Sequence, residues 1–171
     1  MLMTLFHVID ILINIPEKSV YSLNLTIVYR YNMTTGLNTA IRKVIPSDQA
    51  SRPIDNHMRH AVQVGDDVYV SGLLGVHKKM LQIVDGDVTA QTKEALNNLK
   101  NILKNTNCDF TNVVKATYYL INLEEWDEVA NVLNKFLKEP YPVASIVQVN
   151  TLPMDARIQI DVTIKSGKLV A

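Results

Sequence analysis

Within residues 33–171 two stretches carry apolar residues at the three-and-four spacing of an amphipathic helix, and both lie between short β-branched runs. The first spans Asp87 to Asn105 and puts Val88, Ala95, Leu96, Leu99, Ile102 and Leu103 on one side. The second spans about Glu124 to Lys138 and buries Trp126, Val129, Val132, Leu133, Phe136 and Leu137. Glu124 and Glu125 stand at the positive end of its dipole, Lys135 and Lys138 at the negative end. Pro140 and Pro142 stop it.

The runs around these helices read as strands. His60–Val64 and Asp67–Ser71 alternate and are separated by Gly65–Asp66, a hairpin signal. Gly72 and Gly75 punctuate the exit, and Lys78–Asp85 with Gly86 reads as a further hairpin or loop. Val113–Leu123 is β-branched and aromatic, as a central strand should be. Val143–Val149 and Ile158–Ile164 are the closing strands. In the last, Ile158, Ile160, Val162 and Ile164 share one face, while Gln159, Asp161, Thr163 and Lys165 share the other. The pattern predicts an α/β (α+β) fold, a mixed sheet of five or six strands. Two helices cover only one face of such a sheet. The other face is mixed rather than wholly polar, so it calls for a second copy of the chain.

Composition removes several function classes. There are 17 Lys+Arg against 17 Asp+Glu, so no excess positive charge favours nucleic acid or an anionic membrane. The single cysteine, Cys108, cannot form an internal disulfide, and a reducing compartment, the cytoplasm, is expected. Cys108 has only Asp109 as a charged neighbour and reads as a packed residue rather than a reactive thiol.

Residues 1–32 are rich in Leu, Ile and Val and carry only Asp10, Glu17, Lys18 and Arg30 as charges. The apolar run Leu2–Ile15 is too short to span a bilayer. It lacks the basic start and cleavage site of a secretory signal, and the segment is poor in arginine for a mitochondrial presequence. We read 1–32 as an extension upstream of a natural start at Met33, with a mitochondrial address if the segment is a targeting signal.

Three stretches together resemble the RidA/YjgF/RutC family of small trimeric proteins. They are Val68-Tyr69-Val70-Ser71-Gly72 with Leu74-Gly75; Gln91 through Leu96, Asn98, Leu99 and Leu103 into Asn107–Thr117; and Tyr141-Pro142 through Gln148-Val149 and Leu152-Pro153 to Arg157–Asp161. The match covers about residues 41–166, inside a domain expected to span 33–171. The middle stretch is similar to animal members of the family, the perchloric-acid-soluble protein type. The resemblance implies a chorismate-mutase-like sheet with two helices on one face, a homotrimer, and ligand clefts between subunits. It also implies a 2-iminobutanoate/2-iminopropanoate deaminase reaction: hydrolysis of reactive imines to 2-oxo acids and ammonia, with no metal or organic cofactor. A guanidinium grips the substrate carboxylate in a bidentate fashion, and a polar group with backbone carbonyls orients the water.

The chain departs from that pattern where the chemistry is. The family arginine falls on Ala144, in Pro142-Val143-Ala144-Ser145. The family glutamate of the last strand falls on Asp161, the loop tyrosine on Met58, and the asparagine at the head of the second helix on Glu124. Ser71 and Gly72 match. Losing two charge-assisted hydrogen bonds at roughly 1.5–3 kcal/mol each removes about two to four powers of ten in binding. The expected cleft is therefore Ser71, Gly72, Ala144, Met58, Glu124 and Arg59, with Asp161 as the candidate catalytic acid.

Other readings of single residues are weaker. Arg59, His60 or His57 could supply a replacement cation, although solvated loop residues are the simpler reading. His57 and His60 with Asp161 are a poor case for a metal. Asp161 serves equally as a water-positioning acid or as a hydrogen-bonded interface residue. Ser71 lacks a G-x-S-x-G setting and reads as a structural loop serine. His77-Lys78-Lys79 and Arg157 do not make a nucleic-acid surface without aromatic partners.

The sequence thus favours a non-catalytic or altered paralogue that keeps the trimer and binds a small imino or oxo acid or related metabolite. An imine deaminase is the first alternative. A ribonuclease-type translation inhibitor, described for animal relatives, is the second. Neither a membrane nor a nucleic acid is an expected partner.

Overall fold

The computed structural model describes residues 41–167 and Leu169. The expectations placed on residues 1–32 and on the start at Met33 lie outside the described residues. Seven strands form one sheet: β1 (Arg42–Ile45), β2 (Ala61–Val64), β3 (Asp67–Val70), β4 (Leu73–Leu74), β5 (Val113–Leu120), β6 (Val143–Gln148) and β7 (Ile158–Lys165). Their order is β1-β2-β3-β7-β5-β6, with β4 also pairing β7. All pairings are antiparallel except β5 with β6. The expected five or six strands become seven because β4 has only two residues and the Arg42-Lys43-Val44-Ile45 run of β1 does not alternate, so neither shows as a strand pattern in the sequence.

Two helices pack on this sheet, α1 (Val88–Lys104) and α2 (Trp126–Phe136). Asp87 starts α1 by accepting a hydrogen bond from the Ala90 N–H at 2.9 Å. The predicted apolar stripe of α1 is buried throughout: Val88, Ala95, Leu96, Leu99, Ile102 and Leu103 are each at most 2% exposed. A side chain at Gly75 would come within 2.6 Å of the Gln91 carbonyl oxygen, so this glycine lets α1 approach β4 closely.

The second helix is shorter than its pattern suggests. Asn122 accepts from the Glu124 N–H at 3.0 Å and turns Leu123–Glu125 into a 3-10 segment ahead of α2. The same residue explains why β5 ends at Leu120 rather than Leu123. Leu137 leaves the helix in an extended conformation while its side chain stays buried.

The alternation predicted for the last strand is present. Ile158, Ile160, Val162 and Ile164 are buried on the helix side, while Gln159, Asp161, Thr163 and Lys165 are half-buried on the other. At roughly 1.5–3 kcal/mol per buried aliphatic side chain, this one face outweighs any single polar contact in the protein. Cys108 packs against the same core, half-buried, with its thiol 3.4 Å from the Thr106 carbonyl oxygen. The face away from the helices mixes chemistry, as expected. Tyr69 and Val44 are exposed there beside Lys115, Thr117, Tyr119 and Asp161. Every residue of the edge strand β6 is exposed.

Candidate functional site

The predicted site residues fall into two groups. The first forms where the edge of β7 passes from β3 to β4. Pairing runs Tyr69 with Thr163 and then Leu73 with Ile160, so the register slips by one residue across Ser71–Gly72. Gly72 faces the carboxylate of Asp161: a side-chain carbon there would lie 2.9 Å from Asp161 Oδ1 and closer still to Gln159 Nε2. Asp161 Oδ1 already accepts from Gln159 Nε2 at 3.0 Å. The Ser71 N–H donates to the His60 carbonyl at 3.0 Å, and its hydroxyl donates to the Arg59 carbonyl. Backbone accounts for both bonds, in keeping with a structural loop serine.

The loop before β2 completes this group. The exposed Arg59 turns its guanidinium back on its own loop, donating to the Asn56 and Met58 carbonyls at 2.8 and 2.7 Å. Met58 is 44% exposed beside it. His57 pairs with Asp55 at 2.6 Å, and hydrogen bonds from the His57 backbone and ring hold the Asp55 carboxyl below its ordinary range. His60 corrects the reading of a solvated loop residue. It is half-buried; its Nδ1 accepts from the Ser47 N–H at 3.3 Å and its Nε2 donates to the Ser51 carbonyl at 3.0 Å. The two histidines thus serve separate partners. Among the described residues no group of three His, Cys, Asp or Glu is placed to hold a metal ion.

A small recess of about 30 Å³ opens beside Ser71, Gly72 and His60, and Arg52 lines it. Sequence reasoning passed over Arg52, because Pro46–Asn56 reads only as a polar stretch until the fold lays it against β4.

The second group lies on the helix side of the sheet. Ala144 pairs with Ala116 on β5 and borders a groove of about 160 Å³ between α2 and β6. Tyr118 and Trp126 line it, with ring centroids 5.4 Å apart. Leu133, Leu137, Tyr141 and Pro142 are further walls, and no lining residue carries a charge. Burial pushes the Tyr118 hydroxyl up to about 12. Tyr118, Tyr141 and Trp126 read from the sequence as core or loop, and only the packing of α2 on β5 and β6 gathers them at Ala144.

Glu124 is exposed in the 3-10 turn that leads into Trp126. Its neighbour Glu125 pairs with Arg157, whose guanidinium is pushed above its ordinary pKa by that hydrogen bond and charge. Arg157 therefore ties the head of α2 to the start of β7 and is not available to the groove. Met58, Arg59, Ser71, Gly72 and Asp161 are brought together; Ala144 lies apart in the groove, and Glu124, exposed in the turn before α2, is not among the groove's lining residues.

Comparison with known proteins gives a consistent result. Residues 47–165 match the protein-family model described as Endoribonuclease L-PSP. A Bos taurus protein named 2-iminobutanoate/2-iminopropanoate deaminase is 35% identical over 133 residues, covering 78% of this chain and 96% of that one. The Drosophila melanogaster RutC family protein UK114 is 33% identical over 133 residues, with the same coverages of 78% and 96%. The crystal structure of RidA from the Antarctic bacterium Psychrobacter sp. PAMC 21119 superposes with a TM-score of 0.69 at 29% identity, covering 72% of this chain and 98% of that one. Among the described residues no helix is long and apolar enough to cross a membrane.

Proposed function

Because the chain belongs to the RidA/YjgF/RutC family, the Endoribonuclease L-PSP family of the matching model, we propose that it is an altered member, which keeps a small-molecule cleft between the subunits of a homotrimer without the imine hydrolysis for which its relatives are named. The observation that carries this reading is the setting of Ala144. The position that the family pattern gives to a carboxylate-gripping arginine opens on a groove with no charged lining residue. Arg59, a replacement cation suggested by the sequence, bonds its own loop carbonyls, and Arg157 is paired with Glu125.

The division of the site residues supports the intersubunit cleft. Within one chain Ala144 and Asp161 lie on opposite faces of the sheet, so one small ligand between them needs the Ser71–Asp161 group of one copy and the Ala144 groove of another. The domain is 33–171, and the cytoplasm is the compartment unless residues 1–32 act as a mitochondrial address.

The deciding assay generates 2-iminobutanoate in place and follows 2-oxobutanoate. The natural protein is expected to be inert, and Ala144→Arg is expected to gain activity by about two to four powers of ten over that background. Turnover by the natural protein at the rate of its named relatives would reverse the proposal in favour of a deaminase.

A further inference from the structure

We propose that His60 is a pH-sensitive latch: its neutral ring fastens the loop 47–51 beside the Ser71–Gly72 recess, and a second proton on the ring releases that loop at Ser47. The consequence for binding rests on the reading of the Ser71–Asp161 group as half of the cleft. The latch itself is the same whatever the cleft takes.

Two ring contacts carry the argument. Nδ1 faces the Ser47 N–H at 3.3 Å, so this nitrogen has to be bare. Nε2 lies 3.0 Å from the Ser51 carbonyl oxygen, so it holds the ring's proton. Only the neutral ring, with its proton on Nε2, makes both bonds. The backbone carbonyl of the same residue accepts from the Ser71 N–H at 3.0 Å. One residue thereby joins the loop to the edge of the candidate cleft.

The rest of the loop is held by groups that do not titrate. The Ser51 N–H donates to Asn98 Oδ1 at 2.9 Å, Asn101 Nδ2 donates to the Gln49 carbonyl at 2.9 Å, and the Ser47 hydroxyl donates to the Asn101 carbonyl at 3.2 Å. A second ring proton leaves the Nε2 bond in place but sets an N–H against the Ser47 N–H. It also adds positive charge next to Arg59 in the chain, at a recess that Arg52 lines, with Lys78 bonded to the Gln49 side chain of the same loop at 2.9 Å. No carboxylate among the described residues pairs with the ring to offset this. Asp48 is exposed, Asp55 pairs with His57, and Asp161 accepts from Gln159. The groups that α1 and β4 bring against the loop and the recess, Asn98, Asn101, Leu73 and Leu74, are uncharged. Acid therefore frees the Ser47 end while Asn98 keeps Ser51, and it loosens the wall of the recess that His60 and Ser51 form.

The test is a ¹H–¹⁵N titration of the full chain from about pH 8 to 5, the range in which histidines change charge. At the upper end the His60 ring should carry its proton on Nε2. As it gains the second, the Ser47 amide should shift with the same midpoint and lose about tenfold or more of its exchange protection. The Ser51 amide, held by Asn98, should keep its own. His60→Gln supplies a side chain with an acceptor and a donor but no titration, so the Ser47 response should vanish. His57→Gln, which removes the other histidine near the loop, should leave that response in place. A His60 ring with its proton on Nδ1, a ring that stays neutral to pH 5, or a Ser47 amide that ignores the titration overturns the inference. So does a Ser47 response that survives His60→Gln. Should His60→Gln fail to fold, the shared or separate midpoints of His60 and Ser47 in the natural chain decide alone. Deaminase activity in the natural protein bears on none of these readouts, so it and a silent latch are separate failures.

Discussion

Ala144 and Asp161 are placed on opposite faces of one sheet by a single step along β5: Ala144 pairs with Ala116, and Asp161 pairs with Thr117. Ala116 is buried under the helices, and Thr117 is half-buried on the other side. Alternation of side chains along a strand makes this separation unavoidable whatever the side chains are. A cleft that uses both positions is an assembly property.

The full chain is accordingly expected to run as a trimer in size-exclusion chromatography with light scattering. Exposed Tyr69 and Val44 on the uncovered face, and the wholly exposed strand β6, are the surfaces such an assembly would cover. A monomer at micromolar concentration would remove the basis for the intersubunit cleft.

RNA binding should be absent or weak, with no steep salt dependence. The chain balances 17 basic against 17 acidic residues, and a ribonuclease-type surface has to neutralise several phosphates. Titration of a single-stranded RNA at two salt concentrations checks this. A log–log slope of several units would support the translation-inhibitor reading instead.

Stability should fall between pH 10 and 12 through Tyr118. Burial raises the folded-state pKa of its hydroxyl to about 12, above the unfolded value of 10.0. The contribution is therefore fully present below pH 10, and is lost as the pH rises to the folded value because the unfolded chain ionises first. A shift of this size corresponds to about 2–3 kcal/mol. Urea unfolding from pH 9 to 12 measures it, and Tyr118→Phe should remove this part of the slope.

Asn98 should be among the costliest polar residues to replace. It is 2% exposed on α1; its amide donates to the Val76 carbonyl at 3.0 Å and accepts from the Ser51 N–H at 2.9 Å. Asn98→Leu leaves both backbone groups without that partner, at about 2–4 kcal/mol in total. Chemical denaturation gives the number. Ser51 lines the recess at Ser71–Gly72, so the loop should loosen with it. An unchanged midpoint would mean that water replaces both bonds.

Much of the architecture was legible before any coordinates. Apolar spacing located both helices to within two residues at α1, whose Asp87 cap and Asn105 end stand where the sequence puts them. Period-two alternation gave β7 and both of its faces, and Gly65–Asp66 gave the β2–β3 hairpin. These are local signals, set by backbone geometry and by which side chains avoid water. The shortening of α2 was missed because Asn122 competes for the Glu124 N–H, a contest that periodicity does not register. Strand β4 was missed because two residues hold no period, and β1 because Arg42-Lys43-Val44-Ile45 does not alternate and pairs only when β2 is present.

For the site, the family resemblance supplied the expected positions and set Ala144 where it implies an arginine. Which of those positions meet was decided by tertiary structure. Strand register separates Ala144 from Asp161, a slip at Ser71–Gly72 brings Gly72 against Asp161, and the packing of α2 surrounds Ala144 with aromatic rings. Registers and helix packing are long-range, many-body outcomes, settled by which apolar faces bury one another. No window of the sequence contains them.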